Sequence, residues 1–184
     1  MSYTEIYKFK KDGNIECFAE VKNAFRGAMA IWSNVEKRYL PKFMPIWAMG
    51  DTSKYYSRVS DIMGGGIKEI WALFETTKIS ETDKIVLGSS FDNVVVMKED
   101  LPKLIEAFRN FVGETSLNEQ ADLIEKAYNT DDDLIAIAWN QTSVNGDAWQ
   151  SNETGLDEDG DEIYLPYNLL KEDKHWNLFE EIKQ

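Results

Sequence analysis

The sequence predicts a single α+β domain over residues 1–184, with a small, mostly antiparallel sheet packed against several amphipathic helices. Three observations support this fold class. Alternating hydrophobic and polar residues on both sides of Lys11-Asp12-Gly13 predict an N-terminal hairpin. Two short apolar runs predict central strands near residues 91–97 and 133–139. Apolar residues repeated at three and four positions predict the helices, and 184 residues is a size that one hydrophobic core holds.

The first part of the chain combines the hairpin with one long helix. The hairpin strands are predicted at residues 3–10 and 14–21, because Asp-Gly between alternating hydrophobic residues is a strong turn signal. Asn23 is predicted to cap a helix that Pro41 ends. The apolar face of this helix comprises Phe25, Ala28, Met29, Trp32, Val35 and Tyr39.

An irregular apolar segment follows at residues 40–51, and it is consistent either with a packed loop or with an exposed interaction patch. A second helix is expected over about residues 52–62. Gly64-Gly65-Gly66 interrupts the helical spacing, which resumes over residues 67–74. The glycine triplet lacks a following Gly-Lys-Ser/Thr, so a connection between helices is favoured over a phosphate-binding loop.

The middle of the chain alternates helices with apolar strands. Ser80-Glu81-Thr82-Asp83 resembles a capping box, and Val94–Met97 predicts a strand. Asp100 is predicted to cap a helix that extends to Val112. Ser116-Leu117-Asn118-Glu119 is a full capping box for the next helix. Two helices between two strands provide enough chain for a crossover, so the two apolar strands are expected to be neighbours or nearly so.

The second central strand, Leu134–Trp139, is apolar throughout, which predicts burial on both faces. Residues 155–165 are consistent with either an acidic loop or a second hairpin turning on Asp159-Gly160. The chain is then predicted to end in an amphipathic helix. Its apolar residues are Leu169, Leu170, Trp176, Phe179 and Ile182.

The charge is high and unevenly distributed. The chain carries 20 basic and 33 acidic side chains, for a net charge of −13. Residues 1–70 have a net charge of +3, and residues 71–184 have −16. Such a field repels nucleic-acid phosphates and anionic membranes and attracts basic proteins, so a basic protein partner is expected, with no direct nucleic-acid or membrane binding. Solubility alone is the competing explanation.

Location and redox chemistry follow from simple features. No run approaches the roughly 18 apolar residues of a membrane span, and the N-terminus lacks the pattern of an export signal. A cytoplasmic location is therefore expected. The single cysteine, Cys17, excludes an intramolecular disulfide and a cysteine-rich zinc site, and we expect it to be buried or half-buried. No cofactor is predicted.

The polar stretch after the second central strand is the best candidate for a ligand or partner contact. Amide and hydroxyl side chains that both donate and accept hydrogen bonds follow a buried strand, with a tryptophan at each end. A loop whose side chains bind its own backbone is the competing interpretation. The candidate residues are Trp139, Asn140, Gln141, Thr142, Ser143, Asn145, Asp147 and Trp149.

A second candidate is an acidic surface near residue 160, formed by Asp157, Glu158, Asp159, Asp161 and Glu162. Its glycine and acidic residues are out of register for a calcium-binding EF-hand loop, so a solvated turn is favoured over a cation site. No metal site is predicted. The sole histidine, His175, is expected at the surface of the last helix, and no catalytic residue is predicted.

The stretch from Lys11-Asp12-Gly13 to Trp139-Asn140-Gln141-Thr142-Ser143-Val144-Asn145 resembles small uncharacterised acidic proteins encoded by phages or prophages of Gram-positive bacteria. The resemblance implies an accessory role. The leading hypothesis is a non-enzymatic acidic interaction protein that binds a basic partner. The alternative is a small-ligand- or metal-binding enzyme that uses the Asn140–Trp149 loop with Asp131–Asp133. A homo-oligomer built through the region of Trp47 is a third hypothesis.

Overall fold

The computed structural model describes residues 3–22, 27–39, 68–141 and 149–183. Seven strands and six α-helices are formed within these ranges. In chain order they are β1 (Tyr3–Lys10), β2 (Ile15–Lys22), α1 (Ala28–Tyr39), α2 (Lys68–Phe74), α3 (Glu81–Gly88), β3 (Val94–Met97), α4 (Leu101–Asn110), α5 (Leu117–Thr130), β4 (Leu134–Gln141), β5 (Gln150–Leu156), β6 (Glu162–Pro166), β7 (Trp176–Asn177) and α6 (Leu178–Ile182).

The strands form a five-stranded sheet in the order β2-β1-β4-β3-β7 and a separate two-stranded sheet of β5 and β6. In the larger sheet β1 pairs antiparallel with β2 and β4, and β3 pairs antiparallel with β4. The pairing of β3 with β7 is parallel. The predicted α+β class with a mostly antiparallel sheet is therefore confirmed, as are the N-terminal hairpin and the adjacency of the two central strands.

Strand β4 is the centre of the sheet, with β1 on one side and β3 on the other. Ala136, Ile137 and Ala138 are fully buried, which confirms that this apolar run is covered on both faces. The pairing with β1 changes register between Phe9 and Lys10, so Lys10 lies opposite Leu134 whereas Phe9 lies opposite Ala136. This irregularity adds one residue to β4 near its start.

The two faces of the sheet are covered by different parts of the chain. Ile137 and Trp139 of β4 belong to the large core that contains the buried faces of the helices. Ala136 and Ala138 belong to a smaller cluster with Trp149 and Tyr167. The segment around β5 and β6 therefore covers the face that the helices leave, because side chains alternate between faces along a strand.

Three predicted helix caps have different outcomes. The Ser80 side chain accepts a hydrogen bond from the Asp83 backbone N–H, which confirms the cap of α3. Asp100 makes no capping hydrogen bond, and Ser116 makes none either. The Ser116 hydroxyl instead accepts a hydrogen bond from Gln120 Nε2 at 2.9 Å, so a side-chain contact replaces the predicted capping box. Helix α4 ends at Asn110, and Val112 is exposed instead of inward-facing.

The predicted C-terminal helix is shorter than expected. Trp176 and Asn177 form β7 beside β3, and α6 begins only at Leu178. The Asn177 side chain caps this helix by accepting a hydrogen bond from the Phe179 backbone N–H. Leu170 is exposed outside any helix. The predicted helix is thus divided, because pairing with the edge of β3 extends the chain before α6.

Several predictions lie outside the described residues. They are the Asn23 cap, the irregular segment 40–51 with Trp47, the helix over residues 52–62 and the glycine triplet 64–66. Among the helices that the structure does describe, none combines the length and the apolar character needed to cross a membrane.

Candidate functional site

The two tryptophans that flank the predicted polar loop lie in the protein core. Trp139 packs beside Phe108, with 6.0 Å between ring centroids, and its indole N–H donates to Gln120 Oε1 at 3.1 Å. The indole N–H of Trp149 donates to the Trp139 carbonyl oxygen at 2.9 Å. Each tryptophan is only 6% exposed. Their observed role is to hold the ends of the loop against the sheet.

These tryptophans also lie in different clusters. Trp139 belongs to the core beneath the helices, whereas Trp149 packs against Phe9 and Tyr167 on the other face. The Trp149 ring centroid lies 5.3 Å from that of Phe9 and 5.5 Å from that of Tyr167. The two indoles therefore do not face each other across a shared pocket.

Asn140 continues β4 and lies beside two polar residues of β1. Its side-chain N–H donates to Glu5 Oε2 at 2.9 Å, and the Tyr7 hydroxyl donates to the same oxygen at 2.8 Å. Burial raises the pKa of Tyr7, and the hydrogen bond to Glu5 raises it further. Asn140 Oδ1 is buried and has no hydrogen-bond donor within the described ranges. We call Glu5, Tyr7 and Asn140 the Asn140 cluster.

Of the other polar residues of the predicted loop, the structure describes only the backbone of Gln141. Gln141 ends β4 opposite Thr4. Thr142, Ser143, Asn145 and Asp147 lie outside the described residues. The Asn140 cluster is consequently the described part of the predicted polar site.

The acidic triplet Asp131–Asp133 lies at the other end of β4 from Asn140. Leu134 and Asn140 are six residues apart in this strand, which at about 3.3 Å per residue separates them by roughly 20 Å. Lys8 Nζ lies 2.9 Å from the Asp131 carboxylate and lowers the pKa of that carboxyl group. The triplet forms the turn into β4, and the structure does not bring it together with Asn140.

The acidic surface near residue 160 is a β-hairpin. Asp157 Oδ1 accepts hydrogen bonds from the backbone N–H groups of Asp159 and Asp161, at 3.0 and 2.9 Å. Gly160 has a φ angle of +87°, which glycine adopts without strain. The carboxylate of Asp157 thus stabilises the turn, and the second-hairpin interpretation is confirmed. Among the described residues, no group of three or more His, Cys, Asp or Glu side chains is arranged to hold a metal ion.

This hairpin combines negative charge with exposed apolar side chains. Residues 150–166 contain six acidic side chains and no lysine or arginine. Leu156 is 73% exposed, Tyr164 is 60% exposed and Ile163 is 42% exposed. Acidic residues were apparent in the sequence, whereas the exposure of these apolar residues was not predicted.

The observed positions and burial of His175 and Cys17 differ from the predicted ones. His175 is half-buried outside the last helix, and a hydrogen bond of 2.7 Å joins its Nδ1 to the Tyr167 hydroxyl. Burial lowers the pKa of His175. Cys17 is exposed on β2, because the register change of β2 against β1 near Ile6 and Tyr7 alters the alternation of its side chains.

Comparisons with known proteins found no match for this chain. No protein-family model matches it, and neither the curated proteins nor the solved structures include a match. Function is therefore inferred from the geometry and charge of the described residues.

Proposed function

We propose that this chain is a non-enzymatic acidic interaction protein whose β5–β6 hairpin binds a basic protein partner. One observation carries the proposal: a hairpin with six acidic side chains and no basic one also exposes Leu156, Ile163 and Tyr164. Exposed apolar residues bordered by charge are typical of protein-binding surfaces.

The two kinds of side chain would contribute differently to binding. The carboxylates attract a basic surface over several ångströms and accelerate its association, an effect that salt screens. Tyr164 supplies a large side chain with few rotatable bonds, and tyrosine is enriched among the residues that dominate binding energy. Charge thus favours a basic partner, and the apolar residues stabilise the complex after contact.

The negative charge of the hairpin also disfavours two other binding partners, a second copy of the hairpin and nucleic acid. A second copy of the hairpin would bring six more carboxylates to the same surface. Nucleic-acid phosphates would meet the same repulsion. Like charges placed opposite each other at an interface disfavour association, so a basic protein fits this surface better than either.

Neutralising five of the six acidic side chains of the hairpin is expected to weaken salt-sensitive binding of the basic protein at least about tenfold. The test variant combines Asp157→Asn, Glu158→Gln, Asp159→Asn, Asp161→Asn and Glu162→Gln. Asparagine at 157 retains a side-chain oxygen that accepts the two backbone hydrogen bonds of the turn. Immobilised wild-type protein and the variant are compared by capture from lysate, elution with salt, and titration of the recovered protein.

A matched variant separates local charge from total charge. Glu99→Gln, Glu106→Gln, Glu114→Gln, Glu119→Gln and Asp132→Asn remove the same number of charges from exposed positions elsewhere. We expect this control to bind the basic partner nearly as wild type does, with an affinity loss of at least about tenfold only in the hairpin variant. Equal binding by wild type and both variants would refute the proposal.

Small-ligand binding at the Asn140 cluster is a second candidate function. It is favoured by one observation, the buried Asn140 Oδ1 that has no donor among the described residues. A buried carbonyl oxygen without a donor is unfavourable unless a bound group supplies one. The adjacent Glu5 carboxylate would favour a ligand that carries a hydrogen-bond donor or a positive charge.

A further inference from the structure

A groove lined by aromatic rings lies between α2, α3 and the C-terminal segment, apart from the β5–β6 hairpin. Its volume is about 490 Å³, within the range of about 300–1,000 Å³ typical of small-molecule sites. Among the residues that the structure describes, three half-buried rings and three charged side chains line it. These described lining residues are Phe74, Glu75, Lys84, Phe91, Trp176 and Glu181.

The three rings are mutual neighbours. The Phe74 ring centroid lies 5.3 Å from that of Phe91 and 6.0 Å from that of Trp176, and the Phe91 and Trp176 centroids are 6.1 Å apart. Their planes meet at angles between 44° and 69°, so the rings form differently oriented walls and not a parallel stack. The Trp176 indole N–H donates to the Asp92 carbonyl oxygen at 2.9 Å, which fixes that ring.

The packing beneath Phe74 depends on a glycine. A Cβ atom added to Gly88 would lie 2.7 Å from Phe74 Cε2 and would also clash with the Leu178 side chain. Gly88 therefore permits the close approach of α3 to Phe74 and to α6. The position of the Phe74 ring therefore depends on the close packing of α2 and α6 against α3.

The groove has the chemistry of a cation site. Aromatic faces attract positive charge, and the exposed carboxylates of Glu75 and Glu181 belong to no ion pair among the described residues. The ammonium group of Lys84 lies 5.3 Å from the centroid of the Phe74 ring. The protein's own lysine thus already places a cation against one wall of the groove.

We infer that this groove binds a small organic ammonium ion, with the charged head against Phe74, Phe91 and Trp176 and close to the carboxylates of Glu75 and Glu181. Lys84 is the internal competitor, because its ammonium group occupies the Phe74 face in the unbound protein. The site goes beyond the proposed function and does not depend on it.

The test uses choline as the probe and 3,3-dimethylbutan-1-ol as its uncharged analogue of similar shape. Binding is followed by the indole N–H cross-peak of Trp176, which the Trp176→Phe variant assigns. We expect choline to shift this peak saturably and to bind at least about tenfold more tightly than the uncharged analogue. Glu75→Gln with Glu181→Gln should weaken choline binding, and Lys84→Met should strengthen it.

Glu114→Gln with Glu119→Gln is the matched control, because it removes two charges from exposed positions outside the groove lining and the hairpin, and it should leave choline binding unchanged. Equal affinities for choline and its uncharged analogue would overturn the inference, as would a Trp176 peak that does not move. Weaker choline binding by Lys84→Met would also overturn it. If a capped lysine residue bound at least about tenfold more tightly than choline, the occupant would be a partner's side chain and not a small ion. A negative choline result leaves hairpin binding standing, because the hairpin is tested with different variants and a different ligand.

Discussion

Replacing Trp139 with alanine is expected to lower the free energy of unfolding by about 3–5 kcal/mol. The indole is 6% exposed and packs beside Phe108 at the centre of the helix-covered face. Its removal creates a cavity and also leaves Gln120 Oε1 without the indole hydrogen bond. Equilibrium urea unfolding measures the change, provided that wild type and variant unfold in one transition.

Tyr164→Ala is the control for this experiment, because it removes an aromatic ring from a 60% exposed position. Its effect should stay within about 0.5 kcal/mol, as for surface substitutions generally. Trp139→Phe should fall between the two variants, since it keeps a ring but loses the hydrogen bond to Gln120. A loss below about 1 kcal/mol for Trp139→Ala would contradict the structural role of this indole.

Replacing Asp83 with alanine is expected to cost about 3 kcal/mol, the lower end of the range for breaking a buried ion pair, because Arg38 is partly exposed. The Asp83 carboxylate is buried and accepts hydrogen bonds from Arg38 Nη2 and the Tyr39 hydroxyl, each at 2.5 Å. These contacts connect α3 to α1. The variant would leave the Arg38 guanidinium packed 4.6 Å from the Phe111 ring centroid without its counter-charge.

A double-mutant cycle tests this contact directly. Arg38→Ala, Asp83→Ala and the double variant are compared by equilibrium unfolding, with Tyr39→Phe as a variant that removes only the hydroxyl. We expect the sum of the unfolding free energies lost in the two single variants to exceed the loss in the double variant by at least about 1 kcal/mol. Residues joined by an ion pair are energetically coupled. Additive losses would show that the pair contributes nothing to stability.

Local patterns predicted much of the fold. Asp12-Gly13 identified the N-terminal hairpin, the apolar run at Leu134 identified the central strand, and Ser80 identified the start of α3. Each of these signals depends on residues close together in the chain. Sequence patterns did not predict the elements that depend on tertiary contacts. Strand β7 has only two residues, too few for a periodic pattern, and it forms by pairing with the edge of β3.

The candidate sites, too, were predicted from the sequence only where they depend on residues close together in the chain. The acids near residue 160 and the polar character of Asn140 are visible in the sequence. The separation of Asp131 from Asn140 depends on the length of β4, and the partner of Asn140 is Glu5, on a strand more than 130 positions earlier in the chain. The aromatic groove combines Phe74, Phe91 and Trp176, which no local motif connects.

Removing the hairpin tests whether it is the surface that binds the basic partner. Gln150 and Pro166 are paired at its base, and the Tyr167 backbone N–H donates to the Trp149 carbonyl oxygen at 3.0 Å. Residues 152–164 can therefore be replaced by Asn-Gly, a dipeptide that favours tight hairpin turns, while Trp149 and Tyr167 stay in place.

The measurement is the affinity of this variant for the basic protein that wild type captures, determined by titration calorimetry. We predict that the variant retains a free energy of unfolding within about 1 kcal/mol of wild type, because the deleted residues are almost all exposed. Its affinity for the partner should fall at least about tenfold. A folded variant that binds the partner as tightly as wild type would contradict the assignment of the hairpin as the binding surface.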